Sequence, residues 1–184
     1  TEDKVDAQVQ VLLDKSEKLK SYQYMDSKTK HTYYIRDDDV KIELENWHGT
    51  VDDSYDYVFL DLVEKNAYSI CMDLTTCNKG EKLYDKASFE TYKTRTPLEF
   101  LEDIQQGKIV SSEKCEKYNC EVVEYEKDGD MYRMLVTEYR GVPYEIRKQS
   151  SLGKFDSIRK FTDHAYDHLD PADVTIPEDW QPRR

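Results

Sequence analysis

From residue 22 to residue 163 the apolar positions of this chain recur mostly at every second residue, and that alternation restricts it to a fold made chiefly of strands. Val40, Ile42 and Leu44 alternate with Lys41, Glu43 and Glu45, the pattern of a strand with one face buried and one wet. Strands are expected near residues 22–27, 30–37, 40–46, 55–64, 66–73, 82–93, 108–115, 118–126, 131–139, 142–149 and 154–163, about eleven in all. Asp128-Gly129, between VVEYE and MYRMLV, is a signal for a tight hairpin of the primed-turn type. Short turns throughout favour antiparallel neighbours.

Two segments depart from this period. Over residues 4–20, Val5, Val9, Leu12, Ser16 and Leu19 recur at spacings of four and three, with Leu13 widening the stripe, which predicts a helix. The stripe is narrow and the charges beside it are mixed, so it reads as a packing face rather than a membrane anchor. Thr96-Pro97-Leu98-Glu99 joins an N-cap threonine, a proline at the first helical position and a glutamate at the third, a capping box. Leu98, Leu101 and Ile104 then share a face and Gly107 terminates, so a second helix is expected over 97–106. The segment 164–184 is expected to run extended along the body. A length of 184 residues suits one domain holding all of these elements.

The formal net charge of −12 argues against nucleic acid as a partner and against electrostatic docking on anionic lipid. Mean hydropathy is −0.90. Yet 12% of the residues are aromatic, and 15 residues are tyrosine, which separates the chain from disordered sequences. The longest apolar run, Tyr57 to Leu60, is far too short to span a bilayer as a helix. The chain starts at Thr1 without a methionine or a basic-then-apolar leader, as it would if a signal or lipid-attachment segment had been removed.

Four cysteines bear on the compartment. Cys71 with Cys77, and Cys115 with Cys120, is the favoured pairing, because each pair brackets a polar turn. Zinc is the rival, although only the second pair approaches the spacing of structural zinc sites, and free thiols are the third reading. Disulfides imply export.

Catalytic signatures are missing. No nucleophile elbow, Walker loop, dinucleotide fingerprint or HExxH motif occurs, so no cofactor is expected and the role expected is non-enzymatic. His164 and His168, in DHAYDHLD with Asp163, Asp167 and Asp170, would share a face on a helix and could hold a divalent metal for hydrolysis. On a strand they would stand about 13 Å apart, and a solvated strand end is the preferred reading. Asp37-Asp38-Asp39 reads as a turn, with calcium as the functional alternative. Tyr22, Tyr24, Tyr33, Tyr34, Tyr55 and Tyr57 suit a partly wet sheet face, or more pointedly a ligand surface.

LKSYQY leads from the first helix into a strand, and TPLEFLEDIQQG stands in mid-chain. A late hairpin follows, in which Arg133-Met134-Leu135-Val136 precedes the turn Gly141-Val142-Pro143, and the chain closes through Asp173-Val174-Thr175-Ile176-Pro177. In this order the elements resemble the LolA/LolB-like lipoprotein carriers over nearly the whole chain. The cysteine and tyrosine usage looks more like exported archaeal members of that superfamily. The resemblance implies an α+β fold, a curved antiparallel half-barrel of about eleven strands with both helices on its concave face. It also implies a monomeric carrier or sensor outside the cytoplasm, in an extracellular, cell-surface or periplasm-like space. Its expected cargo is an acyl chain, lipid or lipoprotein. A cavity under the helices would be lined by Leu12, Ile35, Ile42, Leu44, Leu60, Leu98, Leu101, Ile104, Val123 and Leu135. The alternative is an interaction or scaffold protein whose core is closed by large side chains such as Phe100 and Tyr92.

Overall fold

In the computed structural model, residues 5–49, 54–73 and 82–184 are described. The fold class is the expected one, α+β, with twelve strands and a few short helices among the described residues. The strands pair antiparallel except for one two-residue parallel bridge. The chain divides into two compact units.

The unit formed by residues 20–94 and 163–184 is a meander. Its strands are β1 (Ser21–Asp26), β2 (Thr32–Arg36), β3 (Asp39–His48), β4 (Tyr55–Asp61), β5 (Asn66–Ile70) and β6 (Leu83–Lys86). The register sets Tyr22 opposite Ile35, Ile35 opposite Val40 and Val40 opposite Leu60. Residues opposite one another share a face, so Tyr22, Tyr24, Tyr33, Ile35, Val40, Ile42, Leu44, Val58 and Leu60 line one face, and all are buried. The other face carries Tyr34, Lys41, Glu43, Tyr57 and Phe59.

The C-terminal segment is more than an extended tail. Asp170 caps a short helix, α3 (Pro171–Val174), through a reciprocal capping box with Asp173, and Pro171 occupies the first turn, where its missing N–H costs nothing. Leu169, Val174 and Trp180 are buried. Trp180 packs with Phe59 and Ile70, flanked by Tyr57, Tyr84 and Ile176. A final strand, β12 (Gln181–Pro182), runs parallel to β6. Ion pairs from Lys82 to Asp179 and from Arg183 to Asp85 hold this edge.

The expected strand over 82–93 is divided. After β6, the Ser88 hydroxyl accepts the Thr91 N–H and starts a one-turn helix, α2 (Phe89–Tyr92). A side-chain cap of this kind competes with the sheet ladder.

The other unit comprises residues 1–19 and 95–162. Its helix α1 (Ala7–Asp14) is shorter than the 4–20 expected. Asp6 caps it, and after Asp14 the chain tightens into a 3-10 turn, Ser16–Lys18. Val9 and Leu12 are its buried residues. The capping box near residue 96 is present: Thr96 N–H donates to the Glu99 carboxylate, and Glu99 N–H to the Thr96 hydroxyl. It opens a 3-10 helix, Leu98–Asp103, instead of an α-helix over 97–106. Arg95 bonds both Asp103 oxygens and the Glu99 carbonyl, which clamps the segment end to end and keeps it short.

Five strands complete the unit: β7 (Gly107–Cys115), β8 (Tyr118–Lys127), β9 (Asp130–Thr137), β10 (Pro143–Gln149) and β11 (Phe155–Tyr166), with residues 155–162 of the last in this unit. The β8–β9 turn has Asp128 and Gly129 at φ 54° and 82°, as the primed-turn signal required. Cys115 and Cys120 form a disulfide across the β7–β8 turn and pack with Val122, Leu135 and Tyr144.

Candidate functional site

In the unit of residues 20–94 and 163–184, two grooves flank α2, one of about 310 Å³ and one of about 290 Å³. Thr91 and Tyr92 border both. The smaller groove is walled by Thr29, His31, Tyr33, His48 and Thr94, the larger by Tyr55, Ser69 and the chain from Asp85 to Ser88. Because Tyr33 lies opposite Ile42 in register, the smaller groove opens at the end of the apolar face that carries Ile35, Ile42 and Leu44.

Aromatic rings connect the two grooves. His31 meets His48 edge-on at 6.1 Å between centroids, His48 stacks on Tyr55 at 6.1 Å, and Tyr55 meets Tyr92 edge-on at 6.4 Å. The hydroxyls of Tyr55 and Tyr92 are hydrogen-bonded to each other. His31 Nδ1 accepts the Glu45 N–H at 3.1 Å, which assigns the proton of the neutral ring to Nε2. Burial lowers the pKa of His31, helped by the neighbouring His48 and only partly opposed by Glu45 and Asp26. Burial and the Tyr55 hydroxyl push Tyr92 up. Both side chains are therefore neutral at neutral pH, and the walls offer ring faces with a few hydroxyl and imidazole edges.

The ten residues expected to line a cavity divide between the two units, and within one of them Val123 and Leu135 point to opposite faces. Ile35 on β2, Ile42 and Leu44 on β3 and Leu60 on β4 share the buried face just described. Leu12 is buried on α1, while Leu98 and Leu101 are half-buried on the 3-10 helix and Ile104, just after it, is buried. Ile104 and Val123 both close in on Gly107: a Cβ there would lie 2.9 Å from Ile104 and 3.1 Å from Val123. Leu135 faces the other way. Val123 pairs with Met134, so the next residue, Leu135, projects from the opposite face, where it packs with the disulfide. On that face Arg147 on β10 bonds Glu113 on β7 and Glu145 beside it.

His164 is buried on β11, near Tyr166 and Tyr24, and His168 is exposed beyond its end. The segment is a strand up to Tyr166, so the two histidines do not share a helix face. Asp37 adopts φ 51° in the β2–β3 turn, as the turn reading expects. Cys71 is disulfide-bonded, but the Cys71–Cys77 pairing rests on Cys77, which lies outside the described residues. Sequence reading passed over the groove itself. Neither His31 nor His48 belongs to a recognisable motif, and the alternation over 82–93 places Thr91 and Tyr92 on a strand; the signal for α2 is the serine cap at Ser88.

No family model and no curated protein matches the chain in sequence. Among solved structures, it is similar to an uncharacterized conserved protein from Thermus thermophilus, with 12% identity over 96% of this chain and 99% of that one, and a TM-score of 0.44. It is also similar to PNGF-II, with 9% identity over 89% of this chain and 31% of that one, TM-score 0.34. A third likeness is to a LolA superfamily protein from Nitrosomonas europaea, with 9% identity, coverage of 91% and 97%, and TM-score 0.28. Among the described residues, no helix is long and apolar enough to cross a membrane.

Proposed function

We propose that this is an exported, non-enzymatic binding protein that holds the end of an acyl chain or a similar apolar group. The observation that carries the reading is the smaller α2 groove, with aromatic walls that include the neutral His31 and Tyr92, opening at the end of the Ile35–Ile42–Leu44 face. A groove of about 290 Å³ lies at the lower limit for small-molecule sites, so it suits a chain end and not a whole lipid. Four methylenes buried there would gain about 3 kcal/mol. That is too little for micromolar binding, which needs about 8 kcal/mol. The hydroxyls of Thr29, Thr94 and Tyr92 and the His31 Nε2 proton would have to supply the remainder through a polar head group. The Cys115–Cys120 disulfide supports an oxidising compartment.

Titration with a fluorescent fatty acid, alongside mass spectrometry of solvent extracts of the purified protein, tests this. Saturable binding that is lost in Thr29→Trp, which fills the groove from a half-buried position outside the core, is the expected result. Absence of binding would favour the alternative of a scaffold or interaction protein with a filled interior. The close approach of Ile104 and Val123 to Gly107, which leaves no room there even for a methyl group, is the observation that speaks for that alternative.

A further inference from the structure

A cavity of about 160 Å³ lies beneath the C-terminal segment, walled by Phe59, Tyr68, Val174 and Ile176 and bordered by Asp39 and Asp61. It sits on the sheet face opposite Tyr33 and Ile42, away from the grooves beside α2, and does not depend on the reading given to them. Asp39 and Asp61 stand directly across from each other on β3 and β4. Cross-strand partners have Cβ atoms about 5 Å apart, and like charges so placed repel.

Nothing in the described residues neutralises this pair. Arg36, opposite Asp39 on β2, turns its guanidinium to Asp37 at 3.8 Å and to the Leu169 carbonyl. Asp61 accepts only the backbone N–H groups of Val63 and Glu64. Lys41, two residues along the same strand, places its ammonium over the rings of Tyr34 and Tyr57. Burial first, then the like charges of Asp61, Asp38 and Asp37, holds the Asp39 carboxyl above the usual carboxylate range.

We propose that this cavity takes an alkylammonium group, with its methylenes against Phe59, Tyr68, Val174 and Ile176 and its cationic head between Asp39 and Asp61. The volume equals that of about five waters and falls below the range of whole small-molecule sites. A side-chain-sized ligand fits it, and the aminobutyl chain of lysine has that size and charge. The same chemistry is carried by a free alkylamine or by a lysine of a protein partner.

Backbone amide NMR of the full chain, titrated separately with n-pentylamine at neutral pH, n-pentanol and an N-acetylated, C-amidated Gly-Lys-Gly peptide, tests the proposal. Pentylamine should give saturable shifts at Phe59, Tyr68 and Val174, and pentanol should bind about tenfold more weakly or worse, a difference of about 1.4 kcal/mol. Asp39→Asn and Asp61→Asn relieve repulsion, so both should stay folded by thermal unfolding, and each should weaken pentylamine binding several-fold. Tighter binding of the peptide than of pentylamine assigns the site to a protein lysine, and the reverse order to a free amine. Equal binding of pentylamine and pentanol, unchanged binding by Asp39→Asn, or no saturable shift with any cationic probe up to about 50 mM, where even a site worth about 2 kcal/mol would be part-filled, overturns the proposal.

Discussion

Replacing Gly141 by alanine should cost several times as much as the same change at Gly129, although both glycines have positive φ, 66° and 82°. The left-handed backbone costs an L residue about 1 kcal/mol at either site. The surroundings then separate them. A Cβ at Gly129 would meet nothing within 4 Å, whereas one at Gly141 would lie 2.3 Å from the Leu12 carbonyl oxygen, 3.2 Å from Ser16 N and 3.3 Å from Lys15 Cβ. The obstacle is the backbone at the end of α1, which cannot rotate away as a side chain can. Relief requires α1 to lift, and α1 is seated by Val9 at 0% exposure and Leu12 at 3%, with Lys15 Nζ donating to the Glu138 carbonyl. Each of those two side chains is worth about 2 kcal/mol when fully buried, and the charged hydrogen bond about 1.5 kcal/mol. Partial lifting therefore predicts a loss of about 3 kcal/mol or more for Gly141→Ala against about 1 kcal/mol for Gly129→Ala. Urea unfolding of both variants measures the costs, and hydrogen exchange over residues 7–14 reports whether α1 has loosened. Equal costs, or an α1 as protected as in the unchanged protein, would refute the reasoning.

Three further outcomes are expected in the same unit. Arg147→Ala removes the guanidinium that bonds both Glu113 and Glu145, leaving Glu145 with its Ser157 bond, and uncovers the face holding Val122 and Leu135; a loss of about 2 kcal/mol and increased binding of a hydrophobic dye are expected. Cys115→Ser combined with Cys120→Ser should lower stability by about 2 kcal/mol, read from unfolding under non-reducing conditions. Burial raises the Asp103 carboxyl, but hydrogen bonds from Arg95 and Lys127 outweigh it and leave its pKa lowered. Its stabilisation is thus complete above the ordinary carboxylate range and lost as pH falls below about 4; Asp103→Asn should be less stable by about 2 kcal/mol at pH 7 and show a flatter decline in acid.

Local chemistry was readable wherever the deciding interactions lie within a few residues of one another. The Asp128-Gly129 turn, the Thr96–Glu99 capping box and the Val40–Ile42–Leu44 face all appear as the sequence signals predict. The capping box did not reveal that its helix would be 3-10, because that depends on Arg95 reaching Asp103 eight residues on, together with Lys127 from β8. Alternation over 82–93 looked like one strand, yet a single serine cap turned the chain at Ser88. The proline content of the tail points to an extended run and does not show that Leu169, Val174 and Trp180 each find a buried seat.

Alternation states which residues of a strand share a face, but not which residue of the next strand stands opposite, and both candidate sites depend on the second fact. Val123 and Leu135 are each apolar at interior strand positions, and only the pairing of Val123 with Met134 shows that they point to opposite sides. His31 and His48 meet because the β2–β3 hairpin folds the far end of β3 back beside the start of β2. Asp39 is visible in the sequence as the last residue of an acidic turn, and nothing in the sequence around Asp61, 22 positions later, connects the two. The register sets them face to face beside an apolar cavity, where neither carboxylate has a cation among the described residues. A turn rich in aspartate needs no ligand, since aspartate tolerates the left-handed backbone and caps its own N–H groups. The pair across the ladder differs in degree: Asp61 also caps the Val63 and Glu64 N–H groups, but asparagine or serine could cap them and stand opposite Asp39 with less repulsion. The energetic cost accepted at Asp39 and Asp61 is thus the stronger argument for a cationic group there than the number of acidic residues in the turn.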